Sequence, residues 1–176
     1  MDKNNWIYIN DHDNSSRYVL GEKGESPLII FGINPSVAEP AYLGKSDPTI
    51  NKIKMLVNKL EGDGWIMLNV YPQRSTNPNE MDLKMNKGIH QKNLLEIENV
   101  FIEYPNSKLI AAWGNLITKR SYLVECLRDI YEISLKYNKE WLCFKRNKTG
   151  HPKHPLYMKQ AKIQLLSYDI KEKYHF

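Results

Sequence analysis

Two histidines, each followed by proline, stand three residues apart in TGHPKHPLY, Thr149 to Tyr157. Proline removes a backbone donor and fixes φ, which excludes a helix interior and a central strand. The segment is therefore a loop carrying two imidazoles and Lys153. Such a loop suits a metal site, a catalytic loop or a rigid turn. His151 and His154 supply only two ligands, and no cysteine or carboxylate set lies nearby in sequence, so no metal is expected. Three other short segments share this punctuation by Gly, Pro or Asn: GINPS at Gly32–Ser36, LNVYPQRS at Leu68–Ser75 and AWGN at Ala112–Asn115. Asn34 and Asn69 bring side-chain amides, each a donor and an acceptor. Asparagine before proline or at a strand end is equally good turn chemistry. Arg74, Ser75 and Thr76 can hydrogen-bond phosphates, or simply solvate a polar loop.

Charge is concentrated around the histidine loop. The formal net charge is +5, from 25 basic and 20 acidic residues. The window Lys136–Lys162 holds eight lysines and arginines, among them Lys139, Lys145, Arg146, Lys148 and Lys153, against the single acid Glu140. A basic cluster beside a special loop favours a polyanion such as nucleic acid, or is a solvated lysine-rich face.

The elements that must position these loops follow from apolar patterning. Leu28–Phe31 reads as a buried strand breaking at Gly32. Asp47 and Pro48 then open a helix with Ile50, Ile53, Val57 and Leu60 on one stripe. WIMLNVYP is a second strand, HQKNLLEIENVFIEY a helix with Leu94, Ile97 and Phe101 on one face, and KLIAAWG a third strand. A helix follows from about Leu116 to Leu127, then EWLCFKR as a fourth strand, the histidine loop, and MKQAKIQLLSY as a closing helix. This alternation predicts one domain over 1–176, α/β in class: a three-layer α/β/α sandwich with a mostly parallel four-stranded central sheet. Ligands of such sheets bind beyond the carboxyl ends of the strands, where all four loops fall. Cys126 and Cys143 lie in apolar stretches and read as buried free thiols. No run is long enough to span a membrane and the N-terminus has no apolar signal region, so a soluble cytoplasmic protein is expected. No Walker loop or dinucleotide fingerprint is present, which ranks a nucleotide-dependent enzyme low.

Taken in order from about Leu28 to Tyr157, the four loops resemble the motifs of the uracil-DNA glycosylase superfamily. GINPS resembles the first motif in its mismatch-specific and thymine-DNA form, which has Asn where the uracil-specific branch has Asp. GWIMLNVYPQR resembles the strand whose asparagine reads the base, LIAAWGNLITKR the Trp-Gly segment before a helix, and HPKHPLY the second catalytic motif, His-Pro-Ser-Pro-Leu. The wording also resembles a branch carried by bacteria, phages and staphylococcal mobile cassettes. The resemblance implies a uracil-DNA glycosylase-like fold and DNA as partner, with no cofactor. It implies that Asn69 reads the base and Asn34 occupies the water-positioning site, with Gly32, Ile33, Pro35 and Ser36 around the substrate. Two alignments of the last motif are open, one on His151 and one on His154; under the second, Leu156 becomes the wedge behind a flipped base. Arg74, Ser75, Lys145, Arg146, Lys148 and Lys153 would contact nucleic acid.

Three departures stand against activity. No acid occupies motif one, Ser36 replaces a gating tyrosine, and the histidine loop is remodelled. Tyr42 is the only aromatic between Ser36 and Asp47 to serve as the family's stacking residue. The expectation is a catalytically degenerate glycosylase that binds DNA or a small acidic DNA-mimicking inhibitor protein. The alternative is an active monofunctional glycosylase cleaving uracil or a modified or mismatched base.

Overall fold

A computed structural model describes residues 3–43, 47–159 and 163–176. Among these described residues seven strands form one sheet: β1 (Trp6–Asn10), β2 (Arg17–Glu22), β3 (Leu28–Gly32), β4 (Trp65–Asn69), β5 (Leu109–Ala111), β6 (Trp141–Cys143) and β7 (Leu166–Ser167). Their order is β1-β2-β4-β3-β5-β6-β7. Pairing within β4-β3-β5-β6 is parallel, whereas β1–β2, β2–β4 and β6–β7 are antiparallel. The expectation of a mostly parallel four-stranded sheet is therefore wrong: the sheet has seven strands and is mixed. β1 and β2 escaped the reading because both are short, at five and six residues, and β1 is only partly buried beyond Trp6. β7 is two residues long and leaves no pattern.

The helices are α1 (Pro48–Lys59), α2 (Lys87–Glu103), α3 (Tyr122–Lys136) and the short α4 (Ile170–Tyr174). Asp47 caps α1 by accepting from the amides of Thr49 and Ile50 at 2.7 and 3.1 Å. Such a cap is worth about 1 kcal/mol. Burial of Ile50, Ile53, Leu56 and Val57 outweighs it, at about 1.5–3 kcal/mol for each side chain. These four pack with Leu28, Ile30, Trp65, Met67 and Ile110 on one face of the sheet. Residues of α2 and α3, including Ile97, Phe101, Leu123 and Leu127, pack with Ile29, Phe31, Ile66 and Leu68 on the other. The period-two alternation of β3 and β4 thus divides each strand between two cores.

Two helix boundaries differ from the sequence reading. The helix expected from Leu116 begins only at Tyr122, because Gly114–Thr118 forms a tight 3₁₀ turn entered at Gly114 with φ +68°. The expected closing helix over Met158–Tyr168 is replaced at its C-terminal end by β7; Gln160, Ala161 and Lys162 lie outside the described residues. Both cysteines are buried and free. Among the described residues no helix is long and apolar enough to cross a membrane.

Lys139 belongs to the basic window by sequence, yet it is buried. Its ammonium donates to the carbonyls of Tyr104, Pro105 and Ser107 at 2.7, 2.5 and 3.3 Å, tying the approach to β6 to the end of α2. Replacing it by methionine would leave three carbonyls short of a donor. Lys139→Met is expected to destabilise the fold by about 1–3 kcal/mol, read as a lower urea midpoint at unchanged m value.

Candidate functional site

The carboxyl ends of β3 and β4 are locked side by side. Gly32 pairs with Asn69, and the pairing continues past the strands. Val70 donates to the Gly32 carbonyl, Tyr71 to that of Ile33 and Ser75 to that of Pro35, each at 2.9 Å. Asn34 adds a side-chain clamp, its Nδ2 lying 2.9 Å from the Ser75 carbonyl and 3.1 Å from that of Pro35. On the other side, residues 145–153 fold as a small hairpin. Arg146 bridges Pro152, Asn147 donates to His151 at 2.8 Å, and Gly150 takes φ +80° at the tip. The hairpin is fastened to the Trp-Gly turn: Gly114 donates to the Pro152 carbonyl at 3.0 Å. The Asn115 Oδ1 accepts from Asn147 and Thr149 at 3.0 and 2.8 Å.

Between these loops lies a hollow of about 170 Å³, lined among others by Gly32, Ile33, Asn34, Ser36, Ser75 and His154. A wider groove of about 570 Å³ adjoins it through the shared Pro78, Leu116 and His154, and carries Lys153 and Tyr157.

Asn69 does not itself line the hollow; it lies behind Gly32 and beside Met67, which do. The alternation that points Trp65 and Met67 toward α1 brings Asn69 to the same face. Its side chain is fully buried, and neither Nδ2 nor Oδ1 has a hydrogen-bond partner among the described residues. Gly32 makes room for it: a β-carbon there would stand 3.0 Å from Asn69 Oδ1 and 2.5 Å from Met67 Cε. The Asn69 backbone is held from behind, its carbonyl accepting from Asn93 Nδ2 at 3.0 Å. An unpaired buried amide costs about 1–3 kcal/mol, so a fold that fixes one this firmly favours a ligand edge with one donor and one acceptor.

The two histidines separate. His154 lines the hollow, whereas His151 stacks on Tyr174 and its Nδ1 lies 3.0 Å from the tyrosine hydroxyl, facing α4. The His154 Nδ1 accepts from the Leu156 amide at 3.3 Å, and burial holds its pKa below the ordinary histidine value against the pull of Asp47. The imidazole is then neutral near pH 7, with the proton on Nε2 and available to an acceptor. Leu156 is exposed beside it, as is Tyr157.

A family model described as protein of unknown function (DUF1643) matches residues 17–156. The chain belongs to that family. No curated protein and no solved structure matches the chain. The matched span contains every residue lining the hollow and stops short of β7 and α4.

The remaining sequence candidates are placed as follows. Pro35 is buried and contributes its carbonyl to the clamp rather than a face to the hollow. Arg74 points inward, with Nη1 2.5 Å from the Ser36 carbonyl and Nη2 2.7 Å from the Tyr8 hydroxyl, so it braces the loop. Lys145, Arg146 and Lys148 are exposed on the hairpin, and Arg146 also donates to the Ser167 carbonyl at 2.9 Å. Tyr42 packs edge-on against Trp6 at 6.4 Å and does not line the hollow. Sequence reasoning missed Arg17, and took Asp47 only for a cap; both line the hollow. The signal for Arg17 was a charge inside an otherwise apolar RYVL run, where a strand buried on both faces should hold none.

Protonation of His154 supplies a test. Its folded pKa lies below the unfolded value, as does that of His151, so the unfolded chain binds more protons in the window just below pH 6.5. The contribution is absent above that window and becomes destabilising as pH falls through it. Stability measured by urea unfolding should drop from pH 7 to pH 5, and His154→Gln should make that drop smaller. An equal drop in the variant would show that the imidazole is not held neutral by the site.

Proposed function

We propose that this chain is a catalytically degenerate, uracil-DNA glycosylase-like protein that binds DNA or a small acidic protein imitating DNA. The observation that carries the reading is the buried amide of Asn69, without a hydrogen-bond partner among the described residues, behind the Gly32 edge of a hollow also lined by Asn34, Ser36 and His154. An extruded uracil presents its N3–H donor next to a carbonyl acceptor on one edge, which is what a fixed asparagine lacks. The exposed bases Lys145, Arg146 and Lys148, with Lys153 in the adjoining groove, supply the positive rim that a phosphate backbone or its acidic imitation needs. A cytoplasmic setting belongs to the same reading.

Weak chemistry is part of it. Breaking the N-glycosidic bond leaves positive charge on the sugar, and an anion beside it supplies a large share of the stabilisation. Asn34 is neutral and its amide nitrogen is committed to loop carbonyls. Asp47 is occupied capping α1. Apart from the His154 imidazole, no aromatic ring among the described residues lines the hollow to stack on a base. The alternative, an active glycosylase, draws its support from the neutral His154, whose Nε2 proton suits a base oxygen gaining negative charge.

Incubation with uracil- and mismatch-containing oligonucleotides separates the two. The expected result is no cleavage, together with binding to DNA or an acidic mimic that falls about tenfold or more when Lys145 and Arg146 are both reversed to glutamate. Binding to DNA should weaken steeply with salt. Turnover that Asn69→Ala abolishes would replace the degenerate reading by the active one. Failure to bind either partner would remove both.

A further inference from the structure

Arg17 is a buried cation with no carboxylate at ion-pair distance among the described residues. It exposes 2 % of its surface, yet lines the hollow. A β-bulge puts it there: the register shifts at Ile9/Asn10, so that Tyr18 and Val19 both pack into the α2–α3 core and Arg17 swings to the α1 side. One nitrogen is used, Nη1 donating to the Ala38 carbonyl at 2.9 Å. Nε is buried and has no partner among the described residues, and no carboxylate oxygen among them lies within salt-bridge distance. Arg74 sits near enough to repel it. Burial first, and that repulsion second, lower its pKa to about 10, which leaves it charged at neutral pH. Asp47 attracts it only from a distance, and that carboxylate is engaged with the α1 amides. A buried charge with no counter-charge costs several kcal/mol, so the arrangement calls for an anion brought from outside. Ser36, Thr49 and Thr76, each carrying a hydroxyl, line the same hollow. A guanidinium fork with neutral hydroxyl donors around it is the chemistry that holds a tetrahedral oxyanion.

We propose that the hollow seats a phosphate group on Arg17. The inference rests on the nucleotide reading of the site and deepens it: the unit bound is then a nucleotide, with its base toward Asn69 and a phosphate toward Arg17. The phosphate comes either from a free mononucleotide or from a DNA strand.

The test uses ¹⁵N-labelled full-length protein at fixed ionic strength. Inorganic phosphate should shift the Arg17 Nε–Hε resonance saturably. Deoxyuridine 5′-monophosphate should bind about tenfold or more tighter than deoxyuridine, the gain expected of a charge-assisted contact. Arg17→Met should erase that difference, and Arg17→Lys, which keeps the charge but not the fork, should retain part of it. Displacement of phosphate by a uracil-containing oligonucleotide assigns it to a strand; failure to displace assigns it to a free mononucleotide. The proposal is overturned if phosphate leaves the wild-type Arg17 resonance unmoved, or if nucleoside and nucleotide bind wild type equally. Asn69→Ala separates this from the base reading: it should weaken deoxyuridine while leaving inorganic phosphate binding intact.

Discussion

An asparagine amide buried between two strand ends, with no hydrogen-bond partner among the described residues, is the constraint on which the site depends. Left to itself the side chain would turn toward a carbonyl or water. It does not, because Asn93 fixes its backbone from one side and the glycine opposite leaves space for the amide on the other. The parallel register that pairs Gly32 with Asn69 is therefore a positioning device as well as a sheet contact. A slip of one residue would put a different side chain there and turn Asn69 to the opposite face.

The loops above that floor are held by backbone hydrogen bonds more than by side chains. The β3 and β4 ladders extend through Pro35 and Ser75, and the histidine hairpin is pinned to the Trp-Gly turn at Gly114. Each such bond contributes about 1 kcal/mol, and together they fix loop positions that side chains alone would leave free. This also explains Arg74, whose guanidinium serves carbonyls of the 36–38 segment in place of phosphates. The positive surface is consequently smaller than the sequence suggests. Lys139 is spent inside and Lys136 pairs with Glu98, which leaves Lys145, Arg146, Lys148, Lys153 and Lys159 as the window's remaining cations among the described residues.

The parts legible in sequence were those set by local physics. Leu28–Gly32 and Trp65–Asn69 are continuous apolar runs ending at turn residues, and Asp47-Pro48 marks a helix start by the mechanism observed. The antiparallel additions were not legible. β1 and β2 form a hairpin with a bulge whose one-residue shift no periodicity can announce, and that shift is what carries Arg17 into the hollow. The two histidines were indistinguishable as letters. They part only because Tyr174, far along the chain, accommodates His151 while the turn at Pro155 directs His154 inward. Lys139 is not a surface cation and Arg74 is half-buried and engaged with its own loop, because burial is a property of the whole fold.

The most direct measurement follows the Asn69 side-chain amide itself. Titrated with free uracil, its Nδ2 resonances should move saturably. 3-Methyluracil, whose methyl covers the hydrogen-bonding edge, should leave them in place. If uracil does not disturb that amide, or if the methylated base disturbs it as strongly, Asn69 reads no base edge and the account of the site is wrong.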